Sequence, residues 1–74
     1  MPEPIPINRR IRYLLQDRGV PQAMFETETG IRKNILYRSN KIRRSTLMAL
    51  AYYFGMTVEE LVKGTTAEEQ WNNN

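Results

Sequence analysis

The chain contains neither cysteine nor histidine among its 74 residues. Zinc fingers, thiol nucleophiles, Ser–His dyads and imidazole acid–base catalysis are therefore excluded. The two serines, Ser39 and Ser45, lack a Gly-x-Ser-x-Gly context. Neighbouring glutamates such as Glu59 and Glu60 point to different faces of a helix, which does not suit paired acid–base work. We expect no enzyme activity, no catalytic residue, no bound metal and no cofactor.

Long apolar runs are also missing, so no segment is predicted to span or bind a membrane. The proline-rich N-terminus does not have the pattern of a signal peptide. Since cysteines and targeting signals are both lacking, a cytoplasmic location is the expectation. A chain of 74 residues can form one small domain with a modest core.

Positive charge is concentrated in the middle of the chain. Between Ile31 and Arg44 there is no acidic residue, although the whole protein carries a net charge of only +3. The basic residues of this stretch are Arg32, Lys33, Arg38, Lys41, Arg43 and Arg44. Such a cluster favours contact with nucleic acid, because cations that neutralise phosphates release condensed counterions. The alternative is an ordinary solvated charged surface.

The periodicity of apolar residues predicts an all-α domain over residues 8–63. Alternating prolines make residues 1–7 a flexible N-terminal arm, and residues 64–74 are predicted to form a largely disordered C-terminal tail with at most one turn. Five short helices are predicted: from Asn8 as N-cap to Asp17, over 22–28, over about 32–38, from Ser45 or Thr46 to Phe54, and over 57–63. We call residues 32–38 the recognition segment.

The fourth predicted helix carries two apolar stripes. Leu47, Leu50, Ala51 and Phe54 repeat at i, i+3, i+4 and i+7 and are predicted to face the core. Met24, Phe25 and Met48 are expected in the core or near it, together with Phe54. Surplus apolar residues predict a partner interface, and its members are Met48, Tyr52, Tyr53 and Trp71. For Trp71, folding back over its own domain is the alternative.

Two short helices joined by a glycine-containing turn, with the second helix basic, are typical of a helix-turn-helix. The runs Ile11–Gln22, Gly30-Ile31 and Thr46–Leu61 resemble the lambda-repressor-like (Cro/repressor-type, Xre) family of helix-turn-helix domains. The resemblance covers about residues 8–63. It implies a compact five-helix fold and a small phage- or plasmid-type transcriptional regulator that binds double-stranded operator DNA.

The resemblance also implies roles for particular residues. Lys33, Asn34 and Arg38 match positions that read base edges, whereas Gln22 and Arg32 match positions beside the phosphate backbone. The loop after the recognition segment supplies further expected phosphate contacts, which are Asn40, Lys41, Arg43 and Arg44. Two departures from the family pattern stand out. This loop is shorter than usual and lacks the customary Asn-Gly, and Glu26 replaces an alanine in the second helix.

A second function remains open from the sequence. An antirepressor, modulator or antitoxin could keep the helix-turn-helix fold and act by binding another regulatory protein, such as a phage repressor. The irregular loop, Glu26 and the surplus aromatic residues favour that reading. The sequence also leaves open whether the chain forms a homodimer, as relatives of this family commonly do.

Overall fold

The computed structural model describes residues 3–32 and 42–73. These residues form five helices, α1 (Ile7–Arg18), α2 (Gln22–Thr29), α3 (Arg44–Phe54), α4 (Val58–Val62) and α5 (Glu68–Asn72). Within the described ranges, β pairing is limited to an isolated bridge between Ile5 and Thr65. The predicted all-α class is confirmed. Helices α1 to α4 correspond to the first, second, fourth and fifth predicted helices, and the recognition segment beyond Arg32 lies outside the described residues.

Two helix starts differ from prediction. Helix α1 begins at Ile7 with Pro6 as its N-cap, and the Pro6 carbonyl accepts the amides of Arg9 and Arg10 at 3.0 and 3.2 Å. Asn8, the expected N-cap, therefore lies inside the helix. Likewise, α3 begins at Arg44, before Ser45 and Thr46. Neither start uses a side-chain cap; in both, the chain turns into a helix where an aliphatic residue, Ile7 or Ile42, enters the core.

The ends of the helices follow the predicted signals. Glycines in the left-handed conformation follow α1 and α3 at positions 19 and 55, with φ of 66° and 69°. The hydroxyl of Thr57 accepts the amide of Glu60 at 3.1 Å, which is the predicted cap of α4. These local signals are reliable because each satisfies backbone groups that the helix itself leaves unpaired.

The core is aliphatic and aromatic, and α1, α3 and α4 supply most of it. Four positions of α1 are buried, and the predicted stripe of α3 is buried in full. The buried apolar side chains are Ile7, Ile11, Leu14, Leu15, Phe25, Ile31, Ile42, Leu47, Leu50, Ala51, Phe54, Val58, Leu61, Val62 and Ala67. Met24 and Met48 are 49% and 57% exposed, so the prediction that they lie in or near the core is wrong.

The two ends of the domain are joined by backbone hydrogen bonds. The amide of Ile5 donates to the carbonyl of Gly64, and the amide of Thr66 donates to the carbonyl of Ile5, each at 2.9 Å. Ile7 is buried inside α1. After the turn, Ala67 is fully buried and α5 packs against α4. Residues 5–7 are thus joined to the rest of the domain, and residues 68–72 form a helix. The division into a flexible arm and a largely disordered tail stays a prediction.

Candidate nucleic-acid interface

The chain leaves α2 through a turn of defined geometry at Gly30. Gly30 has a φ of 73°, and its amide donates to the carbonyl of Glu26 at 2.8 Å. The hydroxyl of Thr29 donates to the Phe25 carbonyl at 2.7 Å and accepts the amide of Ile31 at 3.1 Å. Ile31 is 7% exposed. The turn thus ends α2 and buries the residue that immediately precedes the recognition segment.

Arg32 is exposed directly after this buried anchor. Together with Ala23, Glu26, Thr27 and Gly30, it lines a shallow concavity on the surface of α2. Glu26, the departure from the family pattern, is half-buried there and has an interaction of its own. The concavity therefore combines a cation with a carboxylate beside the start of the recognition segment.

Helix α2 is held mainly by one side chain. Phe25 is the single buried residue of the helix and is fully enclosed. Its ring centroid lies 5.5 Å from that of Tyr53 and 6.1 Å from that of Phe54, and the Tyr53 and Phe54 rings meet edge to face at 5.2 Å. Ring pairs at these separations add to the stability given by burial. The orientation of α2 consequently depends on this aromatic cluster of Phe25, Tyr53 and Phe54.

Tyr53 was predicted to belong to a partner interface, but its ring packs within the domain. Its pKa is raised above the ordinary value, because burial disfavours the phenolate and because Glu28 repels that charge and hydrogen-bonds the phenol. The neutral phenol is therefore the form that the fold favours. Glu28 belongs to α2 and Tyr53 to α3, so this polar contact joins the same two helices as the aromatic cluster.

Gln22 and Arg43, two predicted phosphate contacts, are both exposed. Gln22 is the first residue of α2 and follows Pro21, which is the N-cap. Arg43 is the N-cap of α3. Both positions suit a contact to a phosphate, since amides in the first turn of a helix lack partners within that helix. Their contact with DNA stays a prediction.

Arg44 has a different environment from Arg43. Its guanidinium carbon lies 3.9 Å from the centroid of the Trp71 ring, and its Nη1 donates to the Trp71 carbonyl at 3.1 Å. Trp71 is half-buried against the core and its Nε1 donates to Glu59 at 3.5 Å. Trp71 thus packs on its own domain, the alternative considered above. A signal for this placement is present in the sequence, where Ala67 and Trp71 form an i, i+4 apolar pair.

Two arginines of α1 act on the ends of other helices. The Nε and Nη2 of Arg10 donate to the carbonyls of Leu61 and Glu60, both at 3.4 Å. The Nη2 of Arg18 donates to the Phe54 carbonyl at 3.0 Å, and its guanidinium carbon lies 5.2 Å from the Phe54 ring centroid. Cations at helix C-termini are favourable because they satisfy unpaired carbonyls and oppose the helix dipole.

Of the predicted partner interface, Met48 and Tyr52 remain exposed, at 57% and 90%. They lie one turn apart on α3, so they share a face of that helix. A partner contact at these two residues stays a prediction. Five predicted site residues lie outside the described residues, and these are Lys33, Asn34, Arg38, Asn40 and Lys41.

Over residues 3–32 and 42–73, no cluster of acidic side chains has the arrangement of a metal site. In the same part of the chain, none of the helices has the length and apolar character needed to cross a bilayer.

A short helix followed by a glycine turn and an exposed cation agrees with the first half of a helix-turn-helix, whose second helix would follow in residues outside the described ranges. Residues 10–66 match the family of Cro/C1-type helix-turn-helix DNA-binding domains, and because this is well over half of the chain, the protein belongs to that family. No curated protein and no solved structure matches the chain. The family supports a DNA-binding transcription regulator, as the sequence predicted.

Proposed function

We propose that the protein is a small transcriptional regulator of the phage or plasmid type that binds a pseudo-palindromic operator as a dimer. The recognition segment enters the major groove, where a helix with its side chains fits. The observation that carries the proposal is the exposure of Arg32 immediately after the buried anchor Ile31, within the residues that match the Cro/C1-type family.

In this proposal the residues divide into readers and positioners. Arg38 and Asn34 read base edges, because guanidinium and carboxamide groups can bond guanine and adenine bidentately. Lys33 joins them as a less directional donor. The residues that hold the phosphate backbone are Gln22, Arg32, Asn40, Lys41 and Arg43. Phosphate contacts fix the register of the domain on the duplex, and base contacts carry the sequence preference.

The first test is a selection from a random duplex pool, followed by fluorescence anisotropy with the selected duplex over a series of salt concentrations. The selected sites should contain two half-sites whose centres are about one helical turn apart. Arg38→Ala should relax the preference at one base pair, at a cost of about 1–3 kcal/mol in discrimination. Selection of no common sequence by the wild-type protein would contradict the proposal.

A matched pair of variants tests the phosphate contacts. Arg43→Gln should weaken binding to every duplex. It should also make the negative slope of log K against log salt shallower by about 0.9. Lys63→Gln removes the same charge from an exposed position after α4 that is not among the predicted DNA contacts, and should leave the slope unchanged. Equal slopes for the two variants would remove Arg43 from the interface.

A second function is favoured by one specific observation, the exposure of Met48 and Tyr52 on one face of α3. In that proposal the protein is an antirepressor, modulator or antitoxin, and this face binds another regulatory protein. Analytical ultracentrifugation with and without random duplex at two salt concentrations separates the functions. A monomer that ignores DNA would support the second proposal, whereas a dimer with salt-dependent DNA binding would support the first.

A further inference from the structure

Helix α5 contacts residues 42–44, the first described residues after the recognition segment. The Nε2 of Gln70 donates to the carbonyl of Ile42 at 2.7 Å. Two residues further along the chain, the Arg44 guanidinium stacks on the Trp71 ring and donates to the Trp71 carbonyl. Neighbouring residues of α5 therefore hold the two ends of the short segment 42–44.

This hold is rigid because α5 is itself anchored to the core. Ala67 is fully buried just before the helix, and its amide donates to the hydroxyl of Thr65 at 3.2 Å. The same hydroxyl donates to the carbonyl of Val62 at the end of α4. Ile42 is 2% exposed. Segment 42–44 is thus fixed from the core by its own Ile42 and from outside by α5.

The contacts also separate two adjacent arginines. Both side chains are exposed, Arg43 at the N-cap of α3 and Arg44 one residue later, but the Arg44 guanidinium also lies over an indole ring and donates one N–H to a carbonyl. A guanidinium used in this way has less freedom to follow a phosphate. The family match ends at residue 66, so α5 lies outside the matched residues.

We infer that α5 is a brace that positions the DNA-reading part of the domain, and that Arg44 acts on DNA affinity through Trp71 instead of through a phosphate. The inference rests on the proposed function. Gln70 and Trp71 are positioning residues in this arrangement, since they act through Ile42 and Arg44, which follow the recognition segment in sequence.

The experiment measures operator and random-duplex binding by anisotropy over a salt series, with thermal unfolding of each variant alongside. Gln70→Met keeps the side-chain size but removes the donor to Ile42. It should weaken operator binding by up to about fivefold, because the free energy of one hydrogen bond limits how far its loss can shift the protein away from the positioned state. Random-duplex binding should change less than twofold. Asn72→Ala, at an exposed position of the same helix, is the control and should change neither.

The role of Arg44 is tested by a charge-matched comparison and a double-mutant cycle. Arg44→Gln should weaken operator binding and leave the salt slope unchanged, whereas Arg43→Gln makes that slope shallower by about 0.9. In the Trp71→Leu background, Arg44→Gln should have no further effect on operator affinity. Because Trp71 is the single tryptophan of the chain, its emission maximum should also shift in Arg44→Gln without DNA.

Any of three results would overturn the brace. The first is a salt slope that becomes as shallow in Arg44→Gln as in Arg43→Gln, and the second is additive effects of Arg44→Gln and Trp71→Leu on operator affinity. The third is equal weakening of operator and random-duplex binding in Gln70→Met. Each of these requires a wild-type protein that prefers its operator. A wild-type protein without that preference would instead overturn the proposed function, and the inference with it.

Discussion

Helices α1 and α2 are joined by a short turn yet are attached to the domain in different ways. Helix α1 buries four side chains, and two of its arginines hold the C-terminal carbonyls of other helices. Helix α2 buries Phe25 alone. The first is fixed along its length, whereas the second is fixed at one point in the aromatic cluster.

The difference follows from what each helix has to expose. A helix that buries a broad stripe has little surface left for a ligand, and its stability comes from packing. Helix α2 exposes Gln22, and its exposed Ala23 and Thr27 line a concavity together with Arg32. A helix-turn-helix needs such a face, because the first helix of the pair must approach the DNA backbone. The cost of this exposure is dependence on a single buried ring.

The largest expected effect comes from removing that ring. Phe25→Ala should lower the free energy of unfolding by about 3–5 kcal/mol, since it deletes a fully buried aromatic side chain. The milder Phe25→Leu should leave the protein folded and raise hydrogen exchange at α2 amides more than at α1 amides. Urea unfolding and hydrogen exchange measure both. Uniform exchange in the two helices would show that α2 is not held by one point.

A control in α1 sharpens the comparison. Leu14→Ala should cost about 2–5 kcal/mol by the same cavity argument. In this variant α1 retains Ile7, Ile11 and Leu15, so no local opening of α1 ahead of the rest of the domain is expected. Selective early exchange of α1 amides in Leu14→Ala would contradict the contrast between the helices.

The next effect is smaller and concerns the turn after α2. A side chain at position 30 would meet open space but would have to adopt a φ of 73°. Gly30→Ala should therefore cost about 1–2 kcal/mol from backbone strain alone, and Gly30→Asn should cost less because asparagine tolerates this conformation. Thermal unfolding gives both values. An equal loss in the two variants would place the cost in packing instead of in φ.

The pH dependence of the aromatic cluster tests the polar contact between α2 and α3. The pKa of Tyr53 is raised by burial and by Glu28, so the fold favours the protonated phenol. This contribution to stability is present below about pH 10 and is lost as the pH rises through the raised pKa of the folded state. Absorbance titration should show Glu28→Gln bringing the pKa of Tyr53 down toward its ordinary value, and an unchanged titration would exclude Glu28 as a cause.

The sequence predicted the parts of the fold that depend on regular spacing and local caps. The stripe of α3 and the Thr57 cap of α4 are examples, because each is decided within a few residues. The starts of α1 and α3 and the docking of Trp71 were missed or left open. The i, i+4 pair of Ala67 and Trp71 signals an apolar face on α5, but the surface that this face meets is decided by contacts between residues far apart in the chain, such as Gln70 with Ile42. The helix starts likewise depend on which aliphatic residue enters the core.

In the candidate site, too, the features set by local sequence could be predicted and those set by distant contacts could not. The turn at Gly30 and the exposure of Arg32 could be predicted, because glycine and a following polar run signal them locally. The different environments of Arg43 and Arg44 could not, since both are adjacent arginines in a basic run. Trp71 of α5 stacks on Arg44, and α5 lies 24 or more residues further along the chain.

The smallest expected effect belongs to Met24, which the apolar pattern of α2 placed near the core. Because its side chain is 49% exposed, Met24→Gln should change the free energy of unfolding by no more than about 0.5 kcal/mol. Urea unfolding of this variant beside Phe25→Leu compares neighbouring positions of one helix. If Met24→Gln lowered the free energy of unfolding about as much as Phe25→Leu, α2 would rest on a second apolar contact and would not be held by Phe25 alone.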